Sequence, residues 1–543
     1  MRILGINAVF HDPAAALLID GEIVAAAEEE RFSRRKHGKA AVPFSTWELP
    51  VEAAEWCLEQ AGLTAADIDA VGYSYDPWLM TGQTHELPGL DGVWEDLRTL
   101  YAQRAPRFLA TALPGLDPDC VRFVRHHVAH AASTVLASPF SHSAVLVVDG
   151  RGELTSMLAG EDMDGKLDVL ATQELPHSLG LLYESLTEHL GFTRSSDEYK
   201  VMAMASYGSP RFAPRLRELV YATGDGGFRT EPIDWSEFAP RRVGGLQPEH
   251  ADLAASVQCV LEDVLLDLTA WLSDRTDSTN LCLAGGVALN CVANSVIYNS
   301  GLFDNVWVQP AAGDSGTALG AALAIAAEAG EQVSPMTTAQ LGRGWNDDQI
   351  GAVLQKAGVR YERPDDLAAA VGDALADNRL VGWFQGRAEF GPRALGGRSL
   401  LADPRHVGNL ERLNDVKGRE QFRPVAPMVL ADRAAEIFSG GPIPSPYMLF
   451  VHEVSPKWQN RIPAVTHVDG TARIQTVDTD QSLLHATLRR FEQRTGIPVV
   501  INTSFNTAGR PMVDTPRDAL ECFGASPIDL LAIGPYLVRR WPT

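Results

Sequence analysis

RILGINAVFHDPAAALLIDGEIVAAAEEE at residues 2–30 and AVLVVDGRGELTSMLAGEDMDGKLDVLATQE at residues 144–174 follow one pattern. Each segment reads as three short apolar strands. Asp20-Gly21 in the first segment and Asp164-Gly165 in the second separate strand two from strand three. Asp-Gly between two such runs is a strong hairpin signal. The sequence therefore predicts the same three-stranded meander twice.

A helical pattern follows each meander, in VEAAEWCLEQAGL and in LGLLYESLTEHLGF. A duplicated β-β-β-α unit predicts an α/β fold of the actin-like ATPase type, also called the duplicated ribonuclease-H-like fold. In that architecture two halves clasp a nucleotide or an acyl-nucleotide between them. The alternative is that two common meanders are similar by chance.

A change of pattern near residues 330–350 predicts a domain boundary. The helical run GTALGAALAIAAEAG ends there, and the polar, turn-rich segment EQVSPMTTAQLGRGWNDD follows. Beyond it, helix and strand patterns resume, lysine is scarce and arginine is abundant. Arginine's planar fork suits bidentate binding of phosphate or carboxylate. We therefore predict one domain over residues 1–345 and a second over residues 346–543. The second has the usual length of a domain, and the first is longer.

The segment VRHHVAHAAS holds two histidines four residues apart. This spacing places His126 and His130 on one face of a helix. Asp149 ends the apolar run SHSAVLVVDG, and Asp314 stands at another strand-to-helix junction. Imidazoles with carboxylates suit a divalent first-row metal better than calcium, which prefers oxygen ligands alone. A polar surface helix is the alternative for the histidine pair alone. His127 would point elsewhere on the helix, so we expect it to lie behind the ligands or at the surface.

Net charge, cysteine spacing and the absence of long apolar runs in the sequence disfavour several classes of protein. Acidic residues exceed basic ones by 69 − 46 = 23 among 543 residues, which disfavours a nucleic-acid binder. The six cysteines contain no CxxC pair, so neither a structural zinc finger nor a disulfide framework is expected. The start MRILGINAVF lacks the long apolar region of a signal peptide, and no run approaches the roughly 20 apolar residues that cross a bilayer. We expect a cytoplasmic protein without nucleic-acid or membrane partners.

Nine motifs occur in the order found in antibiotic O-carbamoyltransferases. The chain resembles the tobramycin, cephalosporin and ansamycin carbamoyltransferases and the related nodulation enzyme. The resemblance covers nearly the whole chain, and it implies an N-terminal domain like the threonylcarbamoyl-transfer enzymes and a C-terminal YrdC-like domain. The motifs are FHDPAAALLIDGEIVAAAEEERFSRRKH, HHVAH, VVDGRGE, SDEYKVMAMASYG, LAGGVALN, PAAGDSGTALGAA, GRAEFGPRALGGRSLLADPR, NDVKGREQFRPVAPMV and INTSFNTAGRPMV.

The resemblance also assigns roles within the N-terminal domain. It implies iron(II), or another divalent first-row ion, at the two histidines and two aspartates described above. It implies nucleotide contacts in LAGGVALN, where Gly285, Gly286 and Asn290 precede a helix whose N-terminus favours an anion. A tight turn is the alternative for the glycine pair, and a helix N-cap is the alternative for Asp314.

Three further N-terminal residues match family positions. His11 and Lys36 match residues associated with the acceptor hydroxyl and with the transferred intermediate. Histidine titrates near neutrality, so His11 suits proton transfer. A turn histidine and a solvated charge run are the alternatives. Lys200 is either a ligand contact or a helix-surface residue.

The C-terminal domain carries the cationic and polar residues that the resemblance implies for ATP and carbamoyl phosphate. Clustered cations repel one another unless anionic ligands supply the counter-charge, and interleaved Gly, Pro and Asn favour a lined pocket. Scattered surface arginine is the alternative. The predicted ligand contacts are Arg387, Arg398, Lys417, Arg419, Arg423, Arg473, Asn502, Ser504 and Asn506.

The reaction implied by the resemblance has two steps. ATP, with Mg²⁺, and carbamoyl phosphate give carbamoyl-adenylate, and the carbamoyl group then passes to a hydroxyl of a small-molecule natural product in antibiotic biosynthesis. A tRNA threonylcarbamoyl transferase is one alternative, which the net charge disfavours. A hydrogenase-maturation carbamoyltransferase is another, which the missing CxxC pairs disfavour. A non-catalytic actin-like nucleotide-binding protein is the third. The sequence leaves open the acceptor, the choice between monomer and homodimer, and whether His11 or the metal activates the hydroxyl.

Overall fold

The computed structural model describes residues 1–38, 48–81 and 92–540, and the chain divides into two compact units, Met1–Thr337 and Thr338–Thr543. Within the described residues, no helix is long and apolar enough to cross a membrane.

The strands of the first unit are β1 Arg2–Asn7, β2 Ala14–Ile19, β3 Glu22–Glu28, β4 Ala70–Tyr73, β5 Val121–Phe123, β6 His142–Val148, β7 Thr155–Met163, β8 Lys166–Glu174, β9 Val220–Ala222, β10 Phe228–Thr230, β11 Asn280–Ala284 and β12 Asn305–Val308. Its α-helices are α1 Glu30–Ser33, α2 Val51–Gln60, α3 Gly92–Ala112, α4 His126–Val135, α5 Leu179–His189, α6 Glu198–Ala205, α7 Ala213–Leu216, α8 Pro248–Ser273, α9 Cys291–Asn299 and α10 Ser315–Glu328.

The two large sheets of the first unit repeat one topology. The first sheet has the strand order β3-β2-β1-β4-β5, and the second has the order β8-β7-β6-β11-β12. In each, the three meander strands pair antiparallel and the next two join in parallel. This repeat confirms the predicted α/β fold of the duplicated ribonuclease-H-like type.

The predicted Asp-Gly hairpins are present at the tips of both meanders. Asp20 and Gly21 have φ angles of 51° and 81°, and Asp164 and Gly165 have 53° and 83°. Positive φ at both central residues is the geometry of a type I′ turn, which matches the twist of the flanking strands. Local sequence therefore sets the register of each meander.

Helices α4 and α10 pack against each other between the two sheets. α4 follows the first sheet in sequence but contacts β6, β7 and β11 of the second sheet. α10 follows the second sheet but contacts β1, β2 and β4 of the first. Small residues permit this close packing, because a Cβ added at Gly320 of α10 would lie 1.7 Å from the carbonyl oxygen of Ala129. The exchange brings the start of α4, the end of β6 and the start of α10 together.

The second unit is built on a mixed sheet of eight strands, in the order β13-β23-β22-β14-β15-β21-β16-β20, and a sheet of three, β17-β18-β19. Its own apolar core includes Trp383, Trp458, Phe491 and Phe505. The YrdC-like assignment stays a prediction.

The strands of the second unit are β13 Tyr361–Glu362, β14 Val381–Phe384, β15 Arg398–Ala402, β16 Ala426–Leu430, β17 Phe438–Ser439, β18 His452–Val454, β19 Thr471–Ala472, β20 Gln475–Val477, β21 Val499–Ser504, β22 Leu530–Ile533 and β23 Tyr536–Arg539. The helices are α11 Asp347–Lys356, α12 Leu367–Ala376, α13 Gly408–Val416, α14 Ala431–Ile437, α15 Pro456–Gln459, α16 Ser482–Thr495 and α17 Pro516–Ala525.

Candidate metal centre and transfer site

Two histidines and two aspartates meet where α4, β6 and α10 come together. The Nε2 atom of His126 lies 3.6 Å from Asp149 Oδ2 and 3.5 Å from Asp314 Oδ1. The Nε2 atom of His130 lies 3.7 Å and 3.6 Å from the same two oxygens. All four side chains are buried. The structure thus brings together the four residues that the sequence predicts as metal ligands.

The four residues fit a divalent metal ion. Among the described residues, neither buried Nε2 atom has a hydrogen-bond partner, which normally costs free energy. Ligand atoms about 2.1 Å from a tetrahedral ion lie about 3.4 Å apart, close to the observed separations. Two imidazoles and two carboxylates are ligands that first-row divalent ions accept. We conclude that the cluster can hold such an ion.

Neighbouring groups fix the direction of His126. Its Nδ1–H donates to the carbonyl oxygen of Ser74 at 3.0 Å, which leaves Nε2 facing the aspartates. Its backbone N–H donates to Glu153 Oε1 at 2.9 Å, at the first residue of α4. Glu153 ends the motif VVDGRGE, and no local pattern there predicts its contact with the start of α4.

The charges of the cluster support one another. Burial and the nearby Asp314 carboxylate oppose ionisation of Asp149, but the two imidazoles outweigh them and lower its pKa to about 2. Asp314 is buried too, and the surrounding imidazoles hold its pKa well below the usual range. Both carboxylates are therefore ionised at neutral pH, as metal ligands must be.

His127, predicted to lie behind the ligands or at the surface, is buried rather than on the surface. Its Nδ1 lies 2.7 Å from the Thr155 hydroxyl, and its ring faces that of His130. Burial, together with the neighbouring His126, lowers the pKa of His127 to about 3, so it is neutral. It packs beside the cluster without joining it.

The glycine loop after β11 lies beside the cluster. Gly285 has a φ of 88°, and an added Cβ would lie 2.2 Å from the carbonyl oxygen of Val148, so only glycine fits. The N–H of Gly286 donates to Asp149 Oδ1 at 2.8 Å. Asn290 accepts the N–H of Ala293 and caps α9. Nucleotide binding by this loop stays a prediction, and its observed contact is with a metal ligand.

The remaining N-terminal residues of the predicted site have different neighbours. His11 Nε2 lies 4.0 Å from Asp314 Oδ2, so His11 stands at the edge of the cluster. The Lys36 ammonium lies 5.8 Å from the centre of the Tyr199 ring. Lys200 is on α6 and pairs with Asp197 at 3.0 Å. Asp314 stands at the N-cap position of α10, but its side chain makes no capping hydrogen bond within the described residues.

In the second unit, one group of predicted residues is brought together. The Lys417 ammonium donates to the carbonyl oxygen and the hydroxyl of Ser504, both at 2.7 Å, and to Asn506 Oδ1. The segment after α13 and the end of β21 are therefore adjacent. Arg419 contacts Asn414, and Arg423 lies 3.6 Å from Glu420. Arg473 has a buried Nε with no hydrogen-bond partner in the part of the chain that the structure describes.

Three other predicted phosphate ligands contact protein groups. Arg398 is fully buried, and its guanidinium donates to backbone carbonyl oxygens of Arg343, Gln385, Gly386 and Gly397. Arg387 donates to the carbonyl oxygens of Leu341 and Gly342. The amide of Asn502 donates to Ala394 and Gln475. These contacts hold the glycine-rich segment in place, and binding of ATP or carbamoyl phosphate by these residues stays a prediction.

Comparison with known proteins gives a family for both units. A family profile described as carbamoyltransferase N-terminus matches residues 2–85 and 97–323. A second profile, described as carbamoyltransferase C-terminus, matches residues 372–540. Nodulation protein NolNO of Sinorhizobium fredii is 38% identical, with 98% of this chain and 80% of the relative covered. Nodulation protein U of Rhizobium tropici is 31% identical, with 94% of this chain and 92% of the relative covered.

Similarity to solved structures is weaker. HypF of T. kodakarensis is 14% identical, with 61% of this chain and 49% of that chain covered, at a TM-score of 0.33. A ROK hexokinase of Thermus thermophilus is 17% identical, with 60% of this chain and 98% of that chain covered, at a TM-score of 0.29. The fold assignment rests on the repeated strand order. The two profiles together span most of the chain, so this protein is an enzyme of the carbamoyltransferase family.

Proposed function

We propose that this enzyme is an ATP-dependent O-carbamoyltransferase that acts on a hydroxyl of a small-molecule natural product in antibiotic biosynthesis. The observation that carries the proposal is the buried cluster of His126, His130, Asp149 and Asp314 in a chain of this family. Metal ligands at the junction of two sheet-and-helix halves suit the transfer of an activated acyl group. Membership of the carbamoyltransferase family indicates that the transferred group is a carbamoyl group.

The first step belongs to the second unit, residues 346–543 of the predicted division. There water cleaves carbamoyl phosphate to carbamate and phosphate. A carbamate oxygen then attacks the α-phosphorus of ATP, with Mg²⁺, so that carbamoyl-adenylate forms and pyrophosphate leaves. Lys417, Arg419, Arg423 and Arg473 supply positive charge for the phosphates, because cationic donors bind phosphate oxygens well. The hydrogen bonds from Lys417 to Ser504 and Asn506 support this role by fixing the ammonium group.

The second step belongs to the first unit. We propose iron(II) as the ion of the four-residue cluster; when bound, it polarises the carbamoyl carbonyl as a Lewis acid. Lys36 and Lys200 offer cations for the phosphate of the adenylate, and the loop of Gly285, Gly286 and Asn290 offers contacts to its nucleoside.

His11 accepts the proton of the attacking hydroxyl, because a hydroxyl is a poor nucleophile at neutral pH. Its place at the edge of the cluster, 4.0 Å from Asp314, supports that role. The acceptor oxygen bonds to the carbamoyl carbon, and AMP leaves.

Mass spectrometry of products tests the proposal. The full chain is incubated with ATP, Mg²⁺, iron(II), carbamoyl phosphate and a panel of natural-product alcohols. AMP and pyrophosphate should form only when ATP and carbamoyl phosphate are both present, and one alcohol should gain a carbamoyl group. Formation of neither AMP nor a carbamate would refute the proposal. A gel shift with tRNA at physiological salt would instead favour a tRNA-modifying enzyme.

A further inference from the structure

Beside the metal cluster, one carboxylate joins two imidazoles. The Nδ1 atom of His11 lies 2.9 Å from Asp12 Oδ2, and the Nδ1 atom of His37 lies 2.8 Å from Asp12 Oδ1. His37 Nε2 lies 2.8 Å from the hydroxyl of Ser196. A continuous chain of hydrogen bonds therefore runs from Ser196 through His37 and Asp12 to His11.

The backbone holds these side chains in an unusual conformation. Asp12 and His37 have φ angles of 50° and 62°, and Phe10 has a φ of 60°. Left-handed backbone is tolerated by Asp and His but is rare for a bulky aromatic residue, and such strain clusters at functional sites. The buried amide of Asn7 donates to the carbonyl oxygens of His11 and Asp12, both at 3.0 Å. The turn after β1 is therefore fixed by specific contacts.

The contacts determine which nitrogen of His11 carries the proton. Burial opposes ionisation of Asp12, yet the imidazoles of His37 and His11 outweigh it and hold its pKa well below the usual range. An ionised carboxylate only accepts hydrogen bonds, so Nδ1 of each histidine is the donor. With Nδ1 engaged by Asp12, Nε2 is the ring atom of His11 that faces the cluster, 4.0 Å from Asp314 Oδ2.

We propose that Asp12, itself braced by His37, is the positioning residue that holds His11 ready to accept the acceptor's proton; this inference rests on the proposed function. As the hydroxyl oxygen bonds to the carbamoyl carbon, its proton passes to His11 Nε2. The bond from that carbon to the phosphate oxygen breaks, and AMP leaves with the electron pair. The Asp12 carboxylate stabilises the imidazolium that forms. A third group that orients a base is a recurring arrangement in nucleophilic catalysis.

The substitution Asp12→Asn tests this role. Asparagine has the same size and also tolerates the left-handed backbone. Its amide donates where the carboxylate only accepted, so it disfavours the Nδ1–H form of His11. We expect kcat of the transfer step to fall by roughly 10²–10⁴-fold with little change in the KM of the acceptor. The matched control is Asp164→Asn, which changes another left-handed aspartate at the tip of the second meander and should leave transfer unchanged.

A double variant separates positioning from a merely structural effect. If Asp12 acts through His11, then adding Asp12→Asn to His11→Asn should cause little further loss, because residues that act as one unit are not additive. Losses that multiply, or an unchanged kcat in Asp12→Asn, would overturn the inference. If Asp12→Asn does not fold, His37→Asn replaces it, with an expected loss of roughly 10–100-fold that is likewise absent in the His11→Asn background.

The same assays distinguish this inference from the proposed function. Failure of the unmodified protein to carbamoylate any alcohol overturns the proposed function. Normal transfer by the unmodified protein, with a loss in His11→Asn but none in Asp12→Asn, overturns only the role of Asp12.

Discussion

At the metal cluster, two of the four ligands take their direction from a neighbouring group. The carbonyl of Ser74 orients His126, and the N–H of Gly286 orients Asp149. Such outer contacts are typically worth 10–100-fold in metal affinity or activity. The chain itself therefore arranges the ligand atoms around one point.

Replacing one histidine should remove the metal. In His130→Ala the cluster loses a buried nitrogen that faces both aspartates, and two ionised carboxylates with one imidazole hold the ion less well. Elemental analysis of the purified protein, loaded with iron(II) and then desalted, should show about one ion per chain in the unmodified protein and far less in the variant. The control is His142→Ala, which removes a partly exposed histidine paired with Glu161. Equal iron in His130→Ala would contradict the ligand assignment.

Local patterns predicted His126, His130 and Asp149 as candidate ligands, whereas the family resemblance assigned Asp314, which local pattern alone would make a helix N-cap. An i, i+4 spacing predicts one helix face, and an apolar run that ends in Asp-Gly predicts a strand end. The contact between Asp12 and His37 was beyond such reasoning, because it joins positions 25 residues apart through left-handed backbone. Arg398 shows another limit, since composition does not tell whether a guanidinium faces a ligand or backbone carbonyls.

Among the structural elements, the packing of α4 against α10 decides whether the ligands meet. Gly320→Ala would place a methyl group against the carbonyl of Ala129, one residue from His130. Overpacking of this kind typically costs about 1–3 kcal/mol, and here it would also displace α4. We expect a lower denaturation midpoint for the first unit and weaker iron binding, measured by denaturant titration and by metal titration.

The control for that substitution is a helical glycine with open space around it. Gly524 of α17 has no neighbouring atom within 4 Å of an added Cβ, so Gly524→Ala should not lower stability. If Gly320→Ala binds iron as tightly as the unmodified protein, the spacing of α4 and α10 does not control the site.

A buried carboxyl at the start of α2 makes stability depend on pH. Glu29 accepts the N–H groups of Glu52 and Ala53, but burial outweighs these bonds and raises its pKa from 4.5 to about 7. Between pH 4.5 and 7 the unfolded carboxyl ionises while the folded one stays protonated, so the folded state loses stability as pH rises. Glu29→Gln lacks this loss and keeps an acceptor. Its stability relative to the unmodified protein should rise by about 3 kcal/mol across that window.

Denaturant titrations of the first unit at several pH values check this expectation. Glu55→Gln, which changes an exposed carboxylate on α2, should show no such trend. A constant difference between Glu29→Gln and the unmodified protein from pH 4.5 to 7 would show that Glu29 is ionised in the folded state.

The meanders were predictable, whereas the completed sheets were not. Asp-Gly turns set the pairing of β2 with β3 and of β7 with β8 within a few residues. The pairing of β6 with β11 joins segments more than a hundred residues apart, as in Val145 with Cys282. No periodicity in either strand specifies that partner, and only packing of the whole half does.

For the molecule as a whole, two compact units imply that the two proposed steps are separable. The second unit has its own core and its own sheets, so a fragment of residues 338–543 should fold alone. We expect this fragment to form carbamoyl-adenylate from ATP and carbamoyl phosphate, measured as release of pyrophosphate. Arg423→Ala should lose that release, because a phosphate would go unpaired. Wild-type release by Arg423→Ala would place the adenylate pocket elsewhere.

The decisive experiment on the whole enzyme is a comparison of carbamate formation by the unmodified protein and by His130→Ala, each supplied with ATP, carbamoyl phosphate, Mg²⁺, iron(II) and an accepted alcohol. If transfer takes place at the metal cluster, the variant should still release pyrophosphate but form no carbamate. The cluster consists of His126, His130, Asp149 and Asp314. Carbamate formation by His130→Ala at the rate of the unmodified protein would contradict transfer at this cluster.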